Sequence, residues 1–177
     1  MIICLTSLAR AGKDTFADYL VNEYNFTKLN LSDILRDELK AQGKQGTKEE
    51  MSLLGDEWRK LYGMNIVMKK TLEKAKQYEK VIITGVRSIE EYYFIKNNAD
   101  EVYLIAVTAD KEIRFDRRNE LDPQIKDEFF ARDERDIKNK GLDKVIRVAD
   151  FEITNNYSSR DEFYKSIDDL MLEMRVN

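Results

Sequence analysis

The stretch that decides the fold is Ile2-Ile3-Cys4-Leu5-Thr6-Ser7-Leu8-Ala9-Arg10-Ala11-Gly12-Lys13-Asp14-Thr15. Its apolar start, residues 2–5, does not alternate with polar residues, which predicts a strand covered on both faces. The part from Ser7 to Thr15 approximates Gly-x-x-x-x-Gly-Lys-Ser/Thr, the phosphate-loop pattern found between a strand and a helix. The helix is predicted by apolar residues at spacing four, Phe16, Leu20 and Tyr24.

A loop of this kind binds phosphate oxygens through its backbone N–H groups and the exposed N-terminus of the following helix. We therefore assign ATP to the loop residues Leu8, Ala9, Arg10, Ala11, Gly12, Lys13, Asp14 and Thr15. The Lys13 ammonium is a mobile charge that can follow the transferred phosphoryl group. The alternative is an ordinary strand–helix turn in which Gly12 serves only the backbone.

The loop departs from the pattern at two positions. Ser7 replaces the first glycine, and Asp14 stands where a hydroxyl usually contacts Mg²⁺, with Thr15 directly behind it. We predict that Asp14 and Thr15 together support a magnesium ion.

Further along the chain, strand patterns alternate with helix starts. Apolar runs at 81–83, 102–107 and 151–153 predict strands, and 26–31 is a weaker candidate. Capping boxes of the form Ser/Thr-x-x-Glu begin at Thr47, Ser88 and Ser159. The apolar stripes that follow them are Met51, Leu54, Trp58 and Leu61, then Tyr92 and Ile95, then Phe163, Ile167, Leu170 and Met174. The alternation predicts an α/β fold with a doubly wound parallel sheet.

Composition excludes several classes of protein. The chain has 177 residues, a formal net charge of -4, no histidine and a single cysteine, Cys4, which we expect to be buried. Histidine-based metal sites, Ser-His-Asp catalysis and an internal disulfide framework are therefore excluded. There is no basic leader and no apolar run of about 18 residues, which predicts a cytoplasmic protein with no membrane segment. Binding of nucleic acid is disfavoured because arginines alternate with acids, and the sequence sets no oligomeric state.

The order of the motifs resembles the P-loop kinase family, in the branch of dephospho-CoA kinases, deoxynucleoside monophosphate kinases and archaeal adenylate-kinase-related proteins. The resemblance lies in Gly12-Lys13-Asp14-Thr15, Leu31-Ser32-Asp33-Ile34-Leu35-Arg36, Ile82-Ile83-Thr84-Gly85-Val86-Arg87-Ser88 and Ala149-Asp150-Phe151-Glu152-Ile153-Thr154-Asn155. It implies a three-layer fold with five parallel strands in a single domain, 1–177. Its core would span 1–109 and 148–177, with an acceptor-binding helical region at about 32–78 and a helical lid at about 110–147.

Candidate acceptor-binding residues follow two of the strands. Asp33 and Arg36 are one helical turn apart, so both can face the cleft if a helix starts at Ser32. Arg36 would then bind phosphate, and Asp33 would accept a proton or orient water on Mg²⁺. The alternative is that Ser32 or Asp33 only caps the helix. Gly85 and Arg87 follow a buried strand, at the end of the sheet where ligands gather.

Two further expectations depend on the resemblance. Arg59 corresponds to the acceptor wall of related kinases, although its own pattern is that of a solvated helix face. Many relatives have aspartate where Thr84 stands, as the acidic partner of the metal. We hypothesise that this carboxylate has moved from the strand to the loop, at Asp14.

The segment 110–147 holds Pro123, the only proline, and the arginines 114, 117, 118, 132 and 135. It is either a solvated helical pair with surface ion pairs or a mobile lid that excludes water and supplies positive charge. By resemblance, Arg114 and Arg118 lead the lid and Arg132 lies at its far side. Asn155 and Asn156, after the last strand, either contact the donor base or turn the chain.

These residues predict Mg²⁺-dependent transfer of the ATP γ-phosphoryl group to a small nucleotide-like acceptor, preferably a nucleoside or deoxynucleoside monophosphate. We assign catalysis to Lys13, Asp33, Arg87, Arg114, Arg118 and Arg132. One alternative is phosphorylation of a ribose hydroxyl on dephospho-CoA, with Asp33 as the base. Another is a nucleotide-binding module that has lost catalysis.

Overall fold

The structure is a computed structural model that describes residues 1–176. Within them, the strands are β1 (Ile2–Thr6), β2 (Thr27–Asn30), β3 (Val81–Thr84), β4 (Val102–Thr108) and β5 (Phe151–Thr154). All are parallel, in the order β2-β3-β1-β4-β5. The predicted five-stranded parallel sheet is confirmed, and the weak run at 26–31 contains β2.

Helices connect the strands. They are α1 (Lys13–Tyr24), α2 (Leu31–Ala41), α3 (Lys48–Tyr62), α4 (Ile66–Ala75), α5 (Ile89–Asn98), α6 (Lys111–Asp116), α7 (Lys126–Lys140), α8 (Leu142–Arg147) and α9 (Arg160–Glu173). The three predicted capping boxes form at the starts of α3, α5 and α9, where each hydroxyl accepts a backbone N–H and each glutamate returns the bond. These reciprocal bonds satisfy amides that a helix start leaves without partners.

The core lies on both faces of the sheet. Cys4 and Ile83 pack on one side against α4, α5 and neighbouring helices, and Ile3 and Leu5 pack on the other against α1 and α9. This confirms the doubly wound, three-layer architecture and explains why β1 is apolar at successive positions. Cys4 is fully buried as expected, and burial, aided by the charges of Asp150 and Glu91, raises the pKa of its thiol far above the usual value.

One expectation about the core is wrong. Leu61 is 61% exposed, because the buried stripe of α3 ends at Trp58, one turn before the helix ends at Tyr62. Within the segment 110–147, Val145 of α8 is fully buried in the same cluster as Cys4, so that α8 packs against the core. No helix within residues 1–176 is long and apolar enough to cross a bilayer.

Candidate active site

The loop between β1 and α1 is shaped for a ligand at the start of the helix. Gly12, the N-cap of α1, has φ 109°, a left-handed conformation that favours glycine. A Cβ at this position would collide with the side-chain amide of Asn155. Within the described residues no side chain caps α1, so its first amides are available to phosphate oxygens.

Lys13 already has an anionic partner in this loop. Its Nζ lies 2.6 Å from Oδ1 of Asp14, and Nζ of Lys28 lies 3.7 Å from the same oxygen. Burial raises the pKa of Asp14, but the ammonium groups of Lys13 and Lys28 outweigh it, and the pKa falls below its usual value. Asp14 therefore stays ionised, and since its side chain is 66% exposed, phosphate can replace it as the partner of Lys13.

The residues around the loop fit a hard cation bound mainly through phosphate and water. The described part of the chain has no group of three or more acidic, histidine or cysteine side chains arranged for a metal. Mg²⁺ at nucleotide sites usually takes only one or two protein oxygens, and Asp14 and Thr15 are the residues of this loop that would supply them. The Thr84 hydroxyl, at the carboxyl end of β3, is buried without a hydrogen-bond partner in residues 1–176. Such an orphan is suited to an ordered water.

The segment 110–147, the predicted lid, packs against the phosphate loop. The Arg114 guanidinium donates to the backbone oxygen of Ala9 at 3.0 Å, and the side chain of Arg10 pairs with Asp122. Asn155 donates to the backbone oxygen of Ala11 at 2.9 Å. Three consecutive loop residues are thus held from outside the loop, which fixes its backbone.

Two of the arginines predicted to be catalytic, Arg114 and Arg118, contact protein groups in the structure. Arg114 is only 2% exposed and forms an ion pair of 2.7 Å with the buried Asp133. Its guanidinium is enclosed by protein partners and is not exposed for contact with phosphate. Arg118 donates to the backbone oxygen of Phe115 and stacks 3.9 Å from the centre of that ring. Both arginines stabilise the lid, which has an aromatic cluster of Phe115, Phe129 and Phe130.

Asn155 is placed by the structure beneath the loop. Its side chain is buried, donates to Ala11 as above and accepts from Arg117 at 3.3 Å, and Arg117 also donates to the backbone oxygens of Asn155 and Tyr157. The sequence offered two roles for Asn155, contact with the donor base or a turn of the chain, and neither includes this hydrogen bond to the loop. Asn156 accepts the backbone N–H of Asp110 and turns the chain after β5.

Asp122 is a site residue that sequence reasoning missed. It is buried in the lid and accepts from Arg10, from Arg132 at 2.8 Å and from the backbone N–H of Asn119 at 3.0 Å. Burial alone would raise the pKa of Asp122, but the donors outweigh it and lower the value to about 2. No local signal distinguishes this aspartate from the other acids of the segment, because its partners are distant in sequence.

Asp122 should make stability depend on acid pH. A carboxyl whose folded pKa is depressed stabilises the fold above its unfolded value, near 4, and loses that contribution as pH falls towards 2. For Asp122 the contribution is about 2 kcal/mol. We expect the free energy of unfolding of Asp122→Asn, measured with urea, to lie below that of the wild type at pH 6, and the gap to narrow by about this amount by pH 2. A gap independent of pH would contradict the assignment.

The residues predicted to bind the acceptor lie near the carboxyl ends of β2 and β3. Asn30 caps α2, accepting from the backbone N–H of Ser32 at 3.1 Å. The interpretation that Ser32 or Asp33 caps the helix is therefore wrong, and α2 begins one residue earlier than expected, at Leu31. Asp33 and Arg36 form a half-exposed ion pair with each other.

The other two candidate arginines approach the same edge of the sheet. Arg87 follows β3, is 51% exposed and lies 3.2 Å from Asp136 of the lid helix α7. Arg59 extends from α3, with its NH2 3.6 Å from the buried Glu91. Gly85 has φ 92° and passes close to the Asn30 side chain. The structure thus brings Arg87 to α7, places Gly85 beside Asn30, and links Arg59 through Glu91 to the start of α5.

Comparison with known proteins agrees with this architecture. A family model described as AAA domain matches residues 9–144. A UPF0200 protein of Thermococcus sibiricus is 34% identical over 165 residues, covering 88% of this chain and 86% of that protein. A UPF0200 protein of Thermococcus kodakarensis is 30% identical over 187 residues, covering 98% of each chain.

Among solved structures, shikimate kinase from Bacteroides thetaiotaomicron has a TM-score of 0.66 at 14% identity and covers 99% of this chain and 98% of its own. Shikimate kinase from Acinetobacter baumannii, in complex with shikimate, has a TM-score of 0.62 at 16% identity and covers 99% and 95%. At these identities the likeness establishes the fold, a kinase-like P-loop α/β fold.

Proposed function

The chain belongs to the UPF0200 proteins and to the AAA domain family, and from this premise we propose that it transfers the γ-phosphoryl group of ATP to a small phosphorylated acceptor. The observation that supports the proposal best is the phosphate loop. Gly12 leaves the N-terminus of α1 without a side-chain cap among residues 1–176, and Lys13 extends from its first turn. Backbone dipoles and one ammonium group together suit the oxygens of a triphosphate.

The proposed roles follow from these positions. The loop amides and Lys13 bind the donor phosphates, and Asp14 and Thr15 support the metal, with Asp14 in place of a strand carboxylate at Thr84. Mg²⁺, when bound, neutralises charge on the phosphate oxygens. Arg132 is the lid arginine proposed to approach the donor phosphates, since Asp122 holds it beside Arg10 of the loop. Arg114 and Arg118 support the lid that excludes water.

For the acceptor we propose a nucleoside or deoxynucleoside monophosphate. Arg36, Arg59 and Arg87 all belong to elements that end or pack at the carboxyl edge of β2 and β3, where ligands of open α/β sheets bind. Each of the three guanidinium groups lies within reach of a carboxylate, of Asp33, Glu91 and Asp136 respectively. A dianionic phosphate can compete for such groups with two parallel hydrogen bonds. This choice favours the nucleoside monophosphate kinase branch.

The acceptor is tested by incubating the protein with ATP, Mg²⁺ and, one at a time, the common nucleoside and deoxynucleoside monophosphates and dephospho-CoA. Formation of a nucleoside diphosphate supports the proposal. Phosphorylation of dephospho-CoA alone would show that the acceptor is dephospho-CoA and not a monophosphate, and the proposed ATP site would still stand. Tight ATP binding with no transfer to any of them would favour a nucleotide-binding module.

The variant Asp33→Asn distinguishes an acceptor that reacts through a phosphate from one that reacts through a hydroxyl. A monophosphate is already deprotonated at neutral pH, so we expect kcat to fall less than about threefold, whereas a hydroxyl acceptor that needs a base would lose about 100-fold or more. Asp37→Asn is the matched control, because Asp37 is an exposed aspartate of the same helix, paired with Lys74. A loss of 100-fold confined to Asp33→Asn would rule out the monophosphate.

Asp14→Ala tests the metal proposal. We expect the Mg²⁺ concentration that gives half-maximal rate to rise about tenfold, because one oxygen that holds the ion or its waters is lost. Asp18→Ala is the control, since Asp18 lies on the same helix, is exposed and shares the partner Lys28. If Asp14→Ala leaves both the rate and its Mg²⁺ dependence unchanged, Asp14 does not replace the metal-binding carboxylate that relatives have at the position of Thr84.

A further inference from the structure

Glu91 is a buried carboxylate to which the roles above assign no task. Its side chain is 3% exposed, and the sequence explains it only as the return partner of the Ser88 capping box. The cap uses Oε2, which accepts the backbone N–H groups of Ser88 at 3.4 Å and of Arg87 at 3.0 Å. The second oxygen, Oε1, lies 3.6 Å from NH2 of Arg59, on another helix. The capping function alone does not require this second contact.

Helix α3 has a glycine that makes room for the same guanidinium. Gly55 lies one turn before Arg59, in the interior of the helix, where glycine costs about 1 kcal/mol relative to alanine. A Cβ at Gly55 would lie 3.0 Å from NH1 of Arg59 and 3.3 Å from Cδ1 of Leu35. The space left by the missing side chain is therefore filled by the Arg59 guanidinium. It folds back along α3 with Nη1 3.5 Å from Asp56 of the same helix, while Nη2 faces Glu91.

The two observations are independent and converge on one group. Glu91 attracts the Arg59 guanidinium from the first turn of α5, and Gly55 leaves space for it on α3. An arginine held on two sides loses less conformational freedom when it binds an anion than one free in solvent. The same Glu91 side chain also fixes the backbone of Arg87 through its N–H. One carboxylate thus sets the positions of two candidate acceptor-binding arginines that belong to different elements.

We infer that Glu91 is a positioning residue for the acceptor phosphate, which it serves by holding the Arg59 guanidinium in the space left by Gly55 and by fixing the turn at Arg87. The inference rests on the proposed function and deepens it, because it ties the specificity for a phosphorylated acceptor to this pair. Glu91 acts through Arg59 and not by contact with the acceptor. Its effect should therefore appear in acceptor affinity and not in ATP affinity.

The test measures equilibrium binding by calorimetry, so that it does not depend on turnover. The probes are ATP with Mg²⁺ and the nucleoside monophosphate that the wild type binds best among the common ribo- and deoxyribonucleotides. Glu91→Gln should raise the dissociation constant of the monophosphate about tenfold and leave that of ATP within twofold. Gly55→Ala should also raise the dissociation constant of the monophosphate, since the new methyl group displaces the guanidinium without removing any charge.

Ser88→Ala is the matched control, because it removes the hydroxyl half of the capping box and leaves Glu91 and Arg59 intact. It should lower the melting temperature and leave both dissociation constants within twofold. Arg59→Ala should weaken binding of the monophosphate. Adding Glu91→Gln to Arg59→Ala should change the affinity for the monophosphate less than twofold, because the glutamine side-chain oxygen can still accept the backbone N–H of Arg87. A full tenfold loss in the Arg59→Ala background would overturn the inference.

Failure of the inference can be distinguished from failure of the proposed function. Unchanged monophosphate binding in Glu91→Gln, with wild-type transfer intact, overturns only the role of Glu91. If the wild type binds ATP but no monophosphate, both the phosphorylated acceptor and the role of Glu91 are overturned while the donor site stands. If it binds both nucleotides and transfers nothing, the role of Glu91 is still decided by the affinities.

Discussion

Replacing Lys13 with alanine is expected to reduce kcat for phosphoryl transfer by about 100- to 1,000-fold, because a preorganised positive charge is lost where negative charge develops. The loop backbone should keep its shape, since Arg114, Asp122 and Asn155 hold it from outside. The affinity for ATP should fall much less than kcat, because the amides at the start of α1 remain. Steady-state kinetics with the best acceptor and calorimetry with ATP measure the two effects separately.

The matched control for this variant is Lys165→Ala, which removes an exposed lysine on α9. It should leave kcat within twofold. Equal losses in the two variants would indicate a general effect of charge, and an unchanged kcat in Lys13→Ala would remove Lys13 from the site.

Arg114→Ala should have the largest effect on stability. The substitution removes a fully enclosed guanidinium and leaves Asp133 buried without its partner at 2.7 Å. Loss of one partner from a buried ion pair costs about 3–5 kcal/mol. It also removes the donor to the backbone oxygen of Ala9, so that the phosphate loop loses one of its outer supports. Urea unfolding at pH 7 measures the change in free energy.

The same segment provides a control for Arg114→Ala. Arg147 of α8 pairs with Asp143 but is 71% exposed, and Arg147→Ala should cost less than about 0.5 kcal/mol. Adding Asp133→Ala to Arg114→Ala should recover part of the stability, because the unpaired charge is removed with its partner. An effect of Arg114→Ala no larger than that of Arg147→Ala would contradict a buried ion pair.

Much of the fold is predictable because its signals are local. The continuous apolar run of β1 and the capping boxes at Thr47, Ser88 and Ser159 each depend on residues a few positions apart, and the structure confirms all of them. The core membership of α8 was not predictable in this way. Its two buried residues, Leu142 and Val145, lie within a highly charged segment, and only tertiary packing places Val145 against the sheet.

The candidate site, too, is predictable only where its signals are local. The phosphate loop is recognisable because strand, glycine, lysine and helix are contiguous in sequence. The lid is not, because charge alone does not reveal whether an arginine faces phosphate or a buried carboxylate. Arg114 pairs with Asp133, and Asp122 reaches Arg10 across more than a hundred positions. These pairings depend on how α6 and α7 pack, which no short motif encodes.

The central claim is that the loop at the start of α1 binds the phosphates of ATP. A crystal structure with a non-hydrolysable ATP analogue and Mg²⁺ tests it most directly. We expect the phosphate oxygens to accept hydrogen bonds from backbone amides between Ala9 and Thr15 and from Nζ of Lys13, with that ammonium moved from Asp14 to phosphate. An analogue bound elsewhere, or a loop still closed by its own side chains at saturating analogue, would contradict the claim.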